Sequence, residues 1–195
     1  VAERYLPHAT SIVYQTLTAP LALVDGTTLP PLARATAFAR EVEFGYPIPS
    51  ASGPPRGLVK GFIDGLVAWD DDLWVLDYKS DLLAGDDLAA VAQRRVRERY
   101  AVQARLYAIA TDRMRGTRRL AGLLFAFVRH AIVVPVRIGD DTLATWSDWL
   151  VRISSPSVLP VLSMSPVPPV ASVPAAVAGP AGPAVTLGEP GRGRR

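Results

Sequence analysis

Two apolar runs, residues 61–69 and 73–80, flank the polar triplet Asp70-Asp71-Asp72. Runs of this length around a polar turn predict one β-hairpin. A hairpin symmetric about Asp70 and Asp71 sets Asp64 opposite Asp77. Strand side chains alternate faces, so Lys79 shares a face with Asp77. Upstream, residues 40–48 alternate, with Val42 and Phe44 on one side and Glu41 and Glu43 on the other, which predicts a short strand. Residues 1–39 read as loosely helical, with a weak helical patch at 11–17 and breaks at Pro20, Pro30 and Pro31. From Asp86 the period changes. Asp86 or Asp87 can cap a single helix over 88–114, which contains neither Gly nor Pro. Val102, Leu106, Ile109 and Ala110 form its core stripe, and Tyr100, Gln103 and Tyr107 a second one. Residues 120–128 and 131–137 read as two strands around Arg129-His130. Asp141 can cap a last helix over 142–153.

The hairpin places two carboxylates and one ammonium at the open end of an apolar ribbon. Like charges directly opposite on a sheet are destabilising, and crowded carboxylates hinder each other's ionisation. A divalent cation between them removes the conflict. Mg²⁺ suits such a set, because it takes one or two protein carboxylates and fills its shell with water and phosphate. Mn²⁺ is the alternative, since it accepts the same oxygen ligands. A nearby lysine can then orient a water or steady phosphate charge. An isolated D-x-K is more often a solvated hairpin end carrying an ordinary surface ion pair.

The chain has 195 residues, 49% of them hydrophobic and 20% charged, enough for one domain with a core. Its net charge of +3 permits nucleic-acid binding without requiring it. The arginines cluster: Arg94, Arg95, Arg97, Arg99 and Arg105, then Arg113, Arg115, Arg118 and Arg119. Such a run is either a solvated helix face or a phosphate-contacting surface. The absence of cysteine excludes disulfides, thiolate zinc sites and cysteine nucleophiles. No signal peptide and no membrane-length apolar run is visible, so a cytoplasmic protein away from membranes is expected. The chain carries no P-loop. Beyond Ser154 prolines recur among Val, Ala and Ser. Residues 1–153 are therefore expected to form the folded domain and 154–195 a disordered tail.

Four segments in order carry a resemblance: Arg40-Glu41-Val42-Glu43-Phe44, Gly61-Phe62-Ile63-Asp64, Asp77-Tyr78-Lys79-Ser80 and Tyr100-x-x-Gln103-x-x-x-Tyr107. Over residues 17–153 the chain resembles the PD-(D/E)XK nuclease superfamily, and within it the RecB-type nuclease domains of exodeoxyribonuclease V. The resemblance implies that Asp64 and Asp77 are metal ligands, helped by the carbonyl of Tyr78, and that Lys79 is the catalytic lysine. Glu41 would match the acidic residue of the preceding strand, with Glu43 as the alternative. Gln103 and Tyr107 would match a Q-x-x-x-Y motif on a DNA-binding helix, with Tyr100 just before it and Arg99 and Arg105 holding the DNA backbone. RecB-type domains also carry an upstream G-x-x-x-H helix. His8, which follows Pro7, does not match it, and His130 is expected to face solvent at a strand turn. The expected reason is that the chain starts inside the domain.

The expected fold is α/β: a small mixed sheet with the active hairpin central and helices on both faces. The expected function is Mg²⁺-dependent DNA hydrolysis within a helicase–nuclease of double-strand break repair, with helicase subunits and DNA as partners. The alternative is a nuclease-like domain that binds DNA or protein without cutting.

Overall fold

The computed structural model describes residues 2–50, 54, 55 and 57–154. In chain order the elements are α1 (Ala2–Thr18), β1 (Leu21–Ala22), β2 (Thr28–Leu29), a 3-10 turn (Leu32–Arg34), β3 (Ala37–Pro47), β4 (Leu58–Trp69) and β5 (Asp72–Lys79). Then follow α2 (Leu88–Arg99), α3 (Ala101–Met114), β6 (Arg119–Phe127), β7 (Ile132–Arg137) and α4 (Asp140–Ile153).

Strands β4 and β5 form the expected hairpin. Asp70 takes the left-handed backbone, φ 54°, that a tight hairpin turn needs and that Asp tolerates. Pairing runs from Trp69↔Asp72 to Gly65↔Leu76, the register symmetric about the turn. The sheet order is β3-β4-β5-β6-β7, antiparallel except for the parallel β5–β6 pair. The hairpin is therefore internal, and β6 is buried along nearly its whole length.

One face of the sheet packs under α2, α3 and α4, with Ile63, Val75, Leu123, Phe125 and Phe127 against Ala92, Val96, Ala108 and Leu150. Burying a side chain such as Phe125 or Leu123 contributes about 2 kcal/mol, so this layer can offset the cost of a buried carboxylate among its members. The other face differs from expectation. Val67, Trp74, Leu76 and Leu124 are covered by Leu21, Leu23 and Leu32, which belong to the β1–β2 ribbon and the 3-10 turn and to no α-helix. Helix α1 packs on that turn and stays largely exposed. The region before β3 is thus helical only up to Thr18.

Three further expectations are corrected. The single helix over 88–114 is two helices, because Tyr100 leaves helical geometry at φ −107°, ψ 3°. Its N–H still reaches the Val96 carbonyl and its carbonyl still receives the Ala104 N–H, so the apolar spacing runs through the break unmarked. Asp87 caps α2 as expected, its carboxylate accepting the Ala90 N–H at 3.0 Å. Helix α4 starts one residue before Asp141: Gly139 is the cap, and Asp140 and Asp141 lie in the first turn. Their negative charge there complements the helix dipole.

The third correction concerns β3. Phe38 faces the ribbon-covered core, whereas Val42, four residues on, faces the helices; Val67 and Ile63 on β4 differ in the same way. Residues four apart share a face in a regular strand. Both strands therefore change face between these points, and there Glu41 adopts φ 50°. The flanking pairs Arg40↔Gly65 and Val42↔Ile63 leave Glu41 across from Asp64. Glu41 and Glu43 do not continue one regular alternating face. Gly65 makes room at this step: a Cβ there would lie 2.8 Å from the Phe38 ring, which would have to shift. Of the tail expected over 154–195, Ser154 ends α4 and donates from Oγ to the Pro49 carbonyl at 2.8 Å; residues 155–195 lie outside the described residues.

Candidate active site

Asp77 is third from the end of β5, on the helix-covered face, and is 2% exposed. Its Oδ1 accepts a hydrogen bond from Gln103 Nε2 at 3.0 Å. Its Oδ2 forms an ion pair with Lys79 Nζ but receives no well-directed hydrogen bond. Lys79 Nζ also donates to Gln103 Oε1 at 2.9 Å. The Gln103 amide from α3 thus spans the pair, oxygen to the cation and nitrogen to the anion. The Lys79 ammonium further sits 4.0 Å from the centre of the Tyr100 ring and 5.7 Å from that of Phe125.

Asp64 closes the mouth of the hairpin. The β4–β5 pairing ends at Gly65↔Leu76, and beyond it Asp64 Oδ2 accepts the Tyr78 N–H at 2.8 Å. The side chain takes over a donor that the ladder leaves behind, which pins a half-buried carboxylate beside Asp77. The electrostatics register that proximity. Burial pushes the Asp77 carboxyl above its ordinary range. The Lys79 hydrogen bond and charge pull it back in part, and the Asp64 charge raises it again. Burial also raises the Tyr107 phenol, with the Asp77 and Asp64 charges adding to it.

The site therefore brings together Asp64, Asp77, Lys79, Gln103, Tyr100 and Tyr107. Tyr107 donates its hydroxyl to the Phe62 carbonyl at 2.7 Å, tying α3 to β4 two residues from Asp64. Other expected residues stand apart. Glu43 is exposed and paired with Lys60. Glu41 is exposed, and among the described residues no group of three His, Cys, Asp or Glu is arranged to hold a metal ion. Arg99 is exposed at the end of α2, whereas the Arg105 guanidinium lies 4.7 Å from the Trp149 ring centre, where it helps join α3 to α4. His130 does not simply face solvent. It is half-buried, and its Nε2 accepts the Leu83 N–H at 3.0 Å, fixing the loop that follows Lys79. Asp81 in that loop carries no motif that marks it in the sequence. It holds the Tyr100 hydroxyl at 2.6 Å and Arg95 at 2.7 Å. Its only sequence signal is an acidic residue two positions after Lys79.

Two carboxylates side by side, one with a buried oxygen lacking a directed donor, make an oxygen-rich set that a divalent cation fits. Asp77 Oδ2 already faces the Lys79 ammonium, so a cation there would share this carboxylate with the lysine. The apolar cavity of about 240 Å³ between the end of α1 and strands β6 and β7 is separate: it is lined by Ile12, Leu21, Ala126 and Val133 and holds no carboxylate.

No family model matches the chain. The chain is similar to an ATP-dependent helicase/nuclease subunit of Listeria monocytogenes serotype 4a (strain HCC23), at 31% identity over 96 residues, which are 45% of this chain and 8% of that protein. The corresponding helicase/nuclease subunit of Listeria innocua serovar 6a (strain ATCC BAA-680 / CLIP 11262) is 33% identical over 78 residues, 36% of this chain and 6% of that protein. The chain thus matches only a small part of the length of these curated relatives. No helix among the described residues is long and apolar enough to cross a membrane. Over the matched stretch, the chain is similar to ATP-dependent helicase/nuclease subunits.

Proposed function

We propose that this chain is a metal-dependent DNA nuclease domain of the PD-(D/E)XK type, working as the cutting part of a helicase–nuclease. The observation that carries the reading is the buried Asp77 carboxylate, clasped by Lys79 and Gln103 and faced by Asp64. Asp64 and Asp77 would hold Mg²⁺ or Mn²⁺, with the Tyr78 carbonyl beside them. Glu41 is the next acidic residue in the row, across from Asp64, and Glu43 is the poorer alternative because Lys60 already pairs with it. When bound, the cation lowers the pKa of a water and offsets charge on the phosphate.

The remaining work falls to the chain itself. Lys79 presents a fixed ammonium next to the carboxylates, where it orients the attacking water or steadies the charge that grows on phosphate oxygens. Gln103 keeps Lys79 and Asp77 in register. Arg99 at the end of α2, with Tyr100 at the break and Arg105 and Tyr107 on α3, would hold the DNA backbone without reading sequence. By the names of its relatives, the chain would act with a helicase that delivers DNA ends, on the same polypeptide or on a partner protein. A second reading, DNA binding without cutting, is favoured by one observation: among the described residues no third carboxylate joins the pair.

Cleavage of linear DNA separates the two. The purified chain is expected to cut with Mg²⁺, to stop with EDTA, and to lose cutting in Asp77→Ala and Lys79→Ala. Metal-independent DNA binding with no cleavage by the folded chain would favour the second reading.

A further inference from the structure

Of the 21 basic side chains, two are lysines: Lys60 on the surface and Lys79 in the site. An arginine carries its donors in a rigid planar fork, whereas a lysine is a compact point charge on a flexible stem. The aim of the Lys79 ammonium is therefore set by what surrounds it. Asp77 and Gln103 supply two sides, and both are fixed by β5 and α3. The Tyr100 ring supplies the third.

Tyr100 sits at the break between α2 and α3, its backbone still bonded to Val96 and Ala104. Two contacts hold its side chain. Its ring stacks on Phe125, centres 5.7 Å apart at 15°. Its hydroxyl donates to Asp81 Oδ2 at 2.6 Å, and Asp81 Oδ1 is held in turn by Arg95 Nη1 at 2.7 Å. We propose that Asp81, anchored by Arg95, is a positioning residue that acts through the Tyr100 hydroxyl to aim the Lys79 ammonium at the carboxylate site. A phenol that donates to an anion is also a more electron-rich ring, and a cation over its face is held more strongly. Burial pushes the Asp81 carboxyl up, but the Tyr100 and Arg95 hydrogen bonds and the Arg95 charge outweigh it and hold it below its ordinary value. Burial and Asp81 together push the Tyr100 phenol up to about 12, so its proton stays in place as the donor. The catalytic consequence rests on the nuclease reading of Lys79; the positioning does not.

The scarcity of lysine makes the test direct. With lysine labelled at its ε-carbon, the chain gives two ε-methylene signals, and Lys60→Arg assigns them. Lys79 is expected upfield of Lys60, shielded by the Tyr100 and Phe125 rings. Asp81→Ala is expected to move the Lys79 signal toward that of Lys60, with kcat for DNA cleavage falling about tenfold at unchanged KM. Tyr100→Phe is expected to do the same, and the double variant no more than either, as residues acting in series are not additive. Asp81→Asn serves in place of Asp81→Ala should the latter fail to fold. A Lys79 signal unmoved in a folded Asp81 variant, or fully additive effects of the two substitutions, would overturn the proposal. A signal that moves as expected in a chain that cuts no DNA would uphold the positioning and sink the nuclease reading.

Discussion

Replacing Asp77 with asparagine is expected to abolish metal-dependent cleavage, by at least about a thousandfold, and at the same time to raise the melting temperature at neutral pH. The two effects have one cause. Asp77 is buried in the helix-covered core beside a second carboxylate, and its pKa lies above the ordinary value. The folded chain therefore holds that proton more tightly than the unfolded chain does. Ionising Asp77 costs folding stability. The cost is absent below the unfolded pKa of about 4, grows as pH rises through the gap to the raised folded value, and is constant above it. Asparagine keeps the shape without the charge, so its advantage in melting temperature should exist at pH 7 and vanish near pH 4. The direction already includes the pull of Lys79, which lowers the Asp77 pKa without cancelling the shift. Thermal melts of both proteins across that range check it. A lower melting temperature for the asparagine variant at neutral pH would mean that the Lys79 pair outweighs the burial cost.

Lys79→Arg should cost activity about as much as a deletion, on the order of a hundredfold in kcat, although the charge is kept. The ammonium is enclosed by Asp77, Gln103 and the Tyr100 ring, with its side chain 11% exposed. A guanidinium is broader and planar, and it would form a two-toothed grip on Asp77 in place of one contact each to Asp77 and Gln103. That would hold the carboxylate and draw positive charge away from the place where a phosphate would lie. Single-turnover cleavage rates at saturating DNA measure this, and a rate near that of wild type would show that the site needs only a positive charge.

The parts of this site that are legible in the sequence are those governed by local pattern. The turn run Asp70-Asp71-Asp72 between two apolar stretches sets the hairpin register, and with it the approach of Asp64 to Asp77. Gln103 and Tyr107 stand out by a motif, and both meet the hairpin, one at Asp77 and the other at the Phe62 carbonyl. What stays hidden depends on partners distant in the chain. Tyr100 leaves helical geometry where its hydroxyl reaches Asp81, and nothing in the spacing of residues 88–114 reveals that. Glu41 takes a left-handed backbone where β3 and β4 exchange faces, a twist that alternating polarity cannot encode. The ribbon of β1 and β2 replaces an expected helix because Leu21, Leu23 and Leu32 suffice to cover Trp74 and Leu76. His130 reads as solvent-facing from its turn position, yet its acceptor nitrogen meets the Leu83 amide contributed by a different loop.

A strained acidic residue in the middle of an edge strand has an energetic cost of about 1–3 kcal/mol, and such strain concentrates where a site needs it. Glu41 lies across from Asp64 in the strand register, yet it is exposed, and among the described residues it completes no group of three acidic side chains with Asp64 and Asp77. Calorimetric titration of Mn²⁺ into the wild-type chain, Asp64→Asn and Asp77→Asn asks directly whether Asp64 and Asp77 share one cation. Binding to wild type that is lost in each single variant is the expected result. Equal binding by all three chains, or none by a folded wild type, would refute the shared site.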